Sequence, residues 1–267
     1  MKLHLLALLK ILGIWIAYQA EAVAVLLQLN LRAAPKALEL TNAAFFEGMT
    51  QEYVKNIFYG DSRTNPKAFD GLAPRFASLS AGYSDRVIDH GGTTALTSMW
   101  FVTWGEPFCH GIYPDGTNAG ITSQDLGIET KTDPVTGGNM RVSRQKYNWR
   151  GGLSVRDPRA IVRIANIDTT ASLTAGQASG DTSTDIWRSM VRAYHKLLNP
   201  AMRLPLGQTR IYCNATVMEA LDHMARKTVN AGVGLTYENI DGRLVLQFRG
   251  IPIKRVDQIV NTETRVV

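Results

Sequence analysis

The pattern of apolar and polar positions changes twice along the chain. Apolar residues dominate the first 34 positions, a helical period follows, and beyond Gly71 the spacing is mainly that of β-strands. Pro35 suits a first helical turn, where its missing N–H costs nothing. The stripe that follows recurs at spacings of three and four: Leu38, Asn42, Phe45, Phe46, Met49, Tyr53 and Ile57. The pattern predicts a helix from Pro35 to Tyr59, roughly 36 Å long at 1.5 Å per residue.

The clearest strand lies at Leu96 to Trp104, where alternate positions on both faces are apolar. This pattern predicts a strand that is buried on both sides and ends before Gly105 and Pro107. Asp133 and Pro134, with Gly137 and Gly138 shortly after, have the composition of a hairpin turn.

The C-terminal half alternates helices and strands. The small polar residues of 169–184 indicate a loop, a helix is predicted from Asp185 to Leu198, and Asn214 is placed to cap a second helix. Val217, Leu221, Met224 and Thr228 share one face of that second helix. The predicted strands are Thr209 to Cys213, Arg243 to Phe248 and Ile251 to Val256, with a hairpin at Asp241-Gly242. These elements predict the α+β fold class.

The N-terminal segment 1–34 admits two interpretations. Its apolar run and the small residues around Glu21 resemble a secretory signal peptide, although Lys10 interrupts the apolar region. The alternative is an apolar helix or strand that packs on the rest of the protein or on a partner. No membrane span is predicted, because Gln19 and Glu21 come before about 20 apolar residues have accumulated.

Composition and charge narrow the class of protein. At 267 residues and 29.4 kDa, 45% hydrophobic and with two cysteines, the chain is large enough for one or two domains held by an apolar core. Its net charge is +6, and the stretch 141–163, with seven basic residues against Asp157, carries the whole of that excess. The interleaved apolar residues of this stretch are typical of strands, which predicts that the charges lie on a sheet.

The sequence contains none of the common catalytic motifs, neither a GxSxG elbow nor the phosphate-binding, HExxH, CxxC or GxGxxG patterns. We therefore predict no enzymatic activity and no cofactor. His90, Cys109 and His110 are the nearest approach to a metal site, but neighbouring strand residues point to opposite faces and rarely share an ion.

Several ordered segments resemble the major capsid proteins of tailed bacteriophages that share the Hong Kong 97 shell fold. The segments are Phe58 to Asp61, Asn65 to Leu72, Thr97 to Gly105, His110 to Pro114 with Gly120, Trp149 to Asp157, Val162 to Asp168, and Phe248 to Ile253 with Asp257, Thr262 and Glu263. The resemblance implies a Hong Kong 97-like fold and a shell subunit that self-assembles into pentamers and hexamers around double-stranded DNA. It also implies location in the virion after assembly in the bacterial cytoplasm, with portal, scaffolding or cement proteins as further partners.

The implied domain organisation has four parts. Residues 35–72 would form the spine helix and the start of the peripheral domain, 73–242 a mainly axial domain, and 243–267 the strands that return the chain to the periphery. Residues 1–34 stand where members of the family normally carry an extended arm and a long hairpin, the E-loop.

The basic stretch then has two possible partners, packaged DNA or acids of a neighbouring copy such as Asp115, Asp125, Glu129 or Asp133. We favour the neighbouring copy, because arginines buried in a close-packed shell need carboxylate partners. The candidate intersubunit contacts are Arg141, Arg144, Lys146, Arg150, Arg156, Asp157, Arg159 and Arg163. An alternative class is a secreted or periplasmic β-rich ligand-binding protein that uses Trp100, Trp104 or Trp149 as ligand platforms.

Overall fold

The computed structural model describes residues 16–25, 34–132, 137–170, 186–199, 206–227, 235–240 and 243–267. The helices are α1 (Ala34–Tyr59), α2 (Leu72–Arg75), α3 (Ile186–Lys196) and α4 (Ala215–Lys227). The strands are β1 (Ile16–Val25), β2 (Val87–Asp89), β3 (Leu96–Trp104), β4 (Cys109–Ile112), β5 (Ile121–Thr132), β6 (Asn139–Val155), β7 (Ile161–Asp168), β8 (Gln208–Cys213), β9 (Leu235–Ile240), β10 (Arg243–Phe248) and β11 (Ile251–Arg255). The chain divides into two compact units, unit 1 with residues 1–71 and 111–153, and unit 2 with residues 72–110 and 154–267.

The described residues of unit 1 include α1 and three antiparallel strands. Strand β6 lies in the middle, with β5 on one edge and β1 on the other. Helix α1 spans 26 residues and ends where Gly60 donates its backbone N–H to the Asn56 carbonyl at 2.9 Å. A Cβ on Gly60 would lie 2.3 Å from the Phe69 carbonyl oxygen, so glycine is required where the chain turns back. The predicted helix therefore forms, with bounds within a residue of those expected.

Unit 2 is built on a mixed sheet whose strands follow the order β2, β7, β3, β8, β11, β10, β9. Strand β3 is buried over eight of its nine residues, as its two apolar faces predicted. Helices α3 and α4 pack their apolar stripes on one face of this sheet. The stripes consist of Ile186, Met190 and Ala193 on α3, with Leu197 directly after it, and Val217, Leu221 and Met224 on α4.

Local signals in the sequence account for most of the element boundaries. Asn214 accepts the Val217 backbone N–H at 2.9 Å, which is the predicted helix cap. The hairpin expected between Asp133 and Gly138 is confirmed by the antiparallel pairing of β5 with β6, in which Thr132 lies opposite Asn139. The turn residues 133–136, Thr228 and the Asp241-Gly242 turn lie outside the described residues.

The two ends of the chain both pair within sheets. Strand β11 pairs in parallel with β8, and both belong to unit 2. The apolar positions of β11, Ile251 and Ile253, are buried in the same core as α3 and α4, which explains their placement. The small residues around Glu21 lie within β1, which pairs with β6 along all ten of its residues, as the strand alternative for this segment predicted.

None of the described helices combines the length and the apolar character that a membrane crossing requires.

Candidate functional site

The β5–β6 hairpin carries most of the basic stretch. Eleven of the twelve residues of β5 are exposed, and the pairing register shifts at Leu126, a bulge that Gly127 accommodates at a φ of 74°. Strand β6 pairs on both edges, so its backbone is fixed while its side chains alternate between two faces. Pairing with β1 and β5 therefore fixes the direction in which each β6 side chain points.

One face of β6 is covered by helix α1. Trp149 stacks on Tyr53 with ring centroids 4.3 Å apart and an interplanar angle of 6°, and Phe46 meets Tyr147 at 4.5 Å. Gln145 accepts a hydrogen bond from the Asn42 side-chain amide at 2.8 Å. These contacts all use odd-numbered positions of β6.

The opposite, even-numbered face of β6 carries Arg144, Lys146 and Arg150. Arg150 is exposed, while Arg144 and Lys146 are half-buried. Arg144 pairs with Glu129 of the same chain at 2.9 Å, so this acid, which we expected to serve a neighbouring copy, already has an intrachain partner. Arg141, near the start of β6, is also exposed. The hairpin thus offers a basic surface, and we name Arg141, Arg144, Lys146 and Arg150 the hairpin cations.

Three further candidates lie in the turn between β6 and β7. Asp157 accepts from the Arg159 guanidinium at 2.9 Å and from the Arg159 backbone N–H at 2.9 Å. The hydrogen bond from Arg159 is the main reason why the pKa of Asp157 lies below its usual value. Arg156 is exposed beside this pair. Asp157 and Arg159 therefore form a local turn-stabilising pair, whereas the Arg156 side chain faces solvent.

Arg163 is placed differently from the other candidates and is not a surface residue. It lies on β7 with 3% of its surface exposed, donates to Glu263 at 2.8 Å, to Ser98 at 3.0 Å and to the Phe76 carbonyl at 2.8 Å. Its guanidinium also stacks over Trp100 at 4.9 Å. Arg163 is thus part of the unit 2 interior, which corrects its assignment as an intersubunit contact. The apolar run on both sides of it was the signal in the sequence for its burial.

The three residues weighed as zinc ligands have other surroundings. His90 is buried and its Nδ1 lies 3.0 Å from the Ser189 hydroxyl. Burial raises the pKa of the Cys109 thiol to about 12, and burial followed by the positive charge of Arg156 lowers the pKa of His110. Within the described residues, no group of three or more histidine, cysteine or acidic side chains is arranged to hold a metal ion.

The tryptophans considered as ligand platforms all make contacts within the chain. Trp100 is fully buried, while the half-buried Trp104 donates its indole N–H to the Tyr212 hydroxyl at 2.7 Å and the half-buried Trp149 stacks on Tyr53. These contacts show that the three rings take part in packing.

Comparison with known proteins gives a consistent result. A chain in the near-atomic structure of bacteriophage Epsilon15, derived from cryo-EM and modeling, is similar with a TM-score of 0.59 and 31% identity, over 94% of this chain and 73% of that chain. The family model of the major capsid protein GP7 matches residues 21–267. A search of curated proteins returned no match.

The mixed α/β fold and this structural likeness define the class as structural proteins of the bacteriophage particle. The match over residues 21–267 is more specific, and the chain belongs to the family of the major capsid protein GP7. It is therefore a phage major capsid protein, which acts in the virion and whose principal partners are copies of itself. The resemblance of the sequence to the major capsid proteins of tailed bacteriophages is confirmed.

Proposed function

We propose that the chain is the shell-forming subunit of a tailed-phage head, assembling into the pentamers and hexamers of an icosahedral shell around double-stranded DNA. The observation that carries this proposal is the family match from residue 21 to residue 267, joined to a structural likeness over 94% of the chain. Both cover residues of unit 1 and of unit 2, so the proposal rests on both units and not on one of them alone.

Within this proposal the two units take the roles of the Hong Kong 97 fold. Helix α1 is the spine helix of the peripheral domain, and unit 2 is the axial domain that meets its copies around the pentamer and hexamer axes. The 26 residues of α1 give a length of about 39 Å at 1.5 Å per residue. Its contacts run along β6 from Gln145 to Trp149, so the helix and the hairpin form one stiff body.

The basic surface is proposed as a contact between subunits. The hairpin cations, together with Arg156 and Arg159, are the candidates, and Asp115 and Asp125 are exposed acids that a neighbouring copy would present to them. Arginine suits such a contact because its planar guanidinium binds carboxylates in a bidentate manner. Arg163 is excluded, because its guanidinium is buried and already bonds Ser98, the Phe76 carbonyl and Glu263 inside the chain.

Other partners belong to the same proposal. Portal, scaffolding and cement proteins would bind the assembled or assembling shell, and packaged DNA would make contacts without sequence preference through phosphates. Assembly would take place in the cytoplasm of the bacterial host.

The test is to express the chain and to follow its assembly by sedimentation and electron microscopy. Closed shells or rings of five and six copies are expected, and they should form after nuclease treatment if protein contacts drive assembly. A subunit that stays monomeric at high concentration would contradict the proposal.

A further inference from the structure

Residues 256–267 follow the last strand of unit 2 as a segment that begins with a turn and contains neither helix nor strand, and we name it the C-terminal strap. It starts where Val256 donates its backbone N–H to the Cys213 carbonyl at 2.8 Å, at the end of β8. It then passes β3, where the Glu263 backbone N–H bonds the Leu96 carbonyl at 2.9 Å. At its end, the Val267 carbonyl accepts the Leu79 backbone N–H at 3.0 Å. The strap thus contacts elements that are far apart in the sequence.

The strap covers the face of the unit 2 sheet that does not pack on α3 and α4. On β3, Met99 and Phe101 belong to the core shared with these helices, so Ser98 and Trp100 point the other way. Arg163 of β7 contacts both Ser98 and Trp100 and therefore lies on the same side. This second face carries the polar side chains of Ser98 and Arg163. The segment that covers it must therefore supply polar groups that bind them.

The first anchor of the strap is a buried ion pair. Glu263 Oε2 lies 2.8 Å from the Arg163 guanidinium, and the two side chains are 5% and 3% exposed. Ser98 Oγ also donates to Glu263 Oε2 and accepts from Arg163 Nε, which joins the three side chains in one network. A buried cation that loses its carboxylate is strongly destabilising, because its desolvation is no longer offset. Unit 2 therefore depends on an acid about a hundred residues further along the chain.

The second anchor is a backbone clamp. Asn166 adopts a φ of 59° and uses both ends of its amide on Val266, donating to the Val266 carbonyl at 2.9 Å and accepting the Val266 N–H at 2.8 Å. The Val266 side chain is 6% exposed and Ile259, earlier in the strap, is 2% exposed. Polar and apolar anchors together hold the strap in one register.

We propose that docking of the C-terminal strap completes unit 2 and that shell assembly requires the docked strap. The physical reason is that β7 carries a buried cation, Arg163, and an asparagine with a positive φ, Asn166, whose partners are Glu263 and Val266. A chain with its strap undocked exposes this face and leaves Arg163 without its carboxylate. This proposal rests on the proposed function for its assembly part, while its structural part concerns the single subunit.

The experiment compares Glu263→Gln with Glu219→Gln in the full chain. Glu219 lies on α4 with 74% of its side chain exposed, so the control makes the same chemical change outside the strap. We expect Glu263→Gln to lower the ratio of folded to unfolded subunit by about tenfold or more, and Glu219→Gln to change it by less than about twofold. The yield of shells seen by electron microscopy should fall with the first variant alone.

A second measurement uses the unchanged protein and holds even if Glu263→Gln fails to fold. In hydrogen exchange, the backbone amides of Glu263 and Val266 should be protected to the same degree as those of β3. Rapid exchange at both positions would overturn the proposal, as would a Glu263→Gln protein with wild-type stability. A destabilised variant that assembles with wild-type yield would overturn the requirement for assembly. Absence of shells from the unchanged protein would instead count against the proposed function, since stability and exchange still report on the strap.

Discussion

At the scale of single residues, Asn166 combines a left-handed backbone conformation, which few residue types adopt, with side-chain hydrogen bonds that few other residues could make. A φ near 59° favours glycine and, among other residues, asparagine. The amide then bonds both backbone groups of Val266. Glycine would adopt this backbone conformation easily but would lose the hydrogen bonds to Val266. Alanine would lose the same hydrogen bonds and would also strain the backbone.

Substitution of Asn166 separates these two contributions. We expect Asn166→Ala to lower the free energy of unfolding by about 2 to 4 kcal/mol, from the left-handed strain and the loss of three hydrogen bonds, two to Val266 and one to Asp89. Asn166→Gly should cost about 1 kcal/mol less than Asn166→Ala, because glycine carries no Cβ. Denaturant titration of both variants gives the comparison. Equal losses would show that the strain is negligible.

At the scale of elements, helix α1 and strand β6 fit because one glycine allows a close approach. A Cβ on Gly151 would lie 2.6 Å from the Tyr53 hydroxyl and 2.9 Å from its ring, in the residue that stacks on Trp149. Gly48, on the same helix, has no neighbouring atom within 4 Å of such a Cβ and is exposed. An added Cβ would therefore collide with Tyr53 at Gly151, whereas it would meet open space at Gly48.

The same substitution at these two positions should have opposite effects. Gly151→Ala forces the Tyr53 ring from its stack, and we expect a loss of about 1 to 3 kcal/mol in the free energy of unfolding. Gly48→Ala should gain about 0.5 to 1 kcal/mol, because alanine is the better helix former at an exposed interior position. Thermal unfolding measures both. A neutral Gly151→Ala would show that helix and strand are not closely packed there.

At the scale of the whole molecule, the excess positive charge divides between the surface and the interior. Arg163 is buried in unit 2 and pairs there with Glu263, whereas Arg156 and the hairpin cations remain at the surface. Charge reversal at Arg163 would unfold the unit and say nothing about contacts between subunits. Arg156 is the informative position, because its exposed side chain can be changed without disturbing a core.

Reversal of Arg156 tests the proposed contact between copies. We expect Arg156→Glu to keep the melting temperature of the subunit and to reduce the yield of nuclease-treated shells several-fold. Lys67→Glu makes the same change in charge at an exposed position outside the basic stretch and should assemble normally. Full assembly of Arg156→Glu would refute the subunit contact, and a defect that appears only when DNA is packaged would favour the phosphate contact.

Much of the local architecture follows from nearby residues and could be predicted. Apolar positions at spacings of three and four predicted α1 and α4, and Asn214 predicted the start of a helix. The alternation from Leu96 to Trp104 predicted a strand that is buried on both faces. The ordered segments also identified the capsid family. The placement of β11 beside β8 could not be predicted, because pairing between distant strands depends on which apolar faces meet in the core.

By itself, the sequence determined the kinds of element, the location of the charge excess and the family. Only the tertiary structure decided that Arg163 lies inside while Arg156 lies outside, although both belong to the same basic stretch. The physical reason is that burial of a charge depends on a partner, and the partner of Arg163 is Glu263, a hundred residues away in the strap. Local patterns report spacing along the chain, whereas the partner of a buried group is set by the fold.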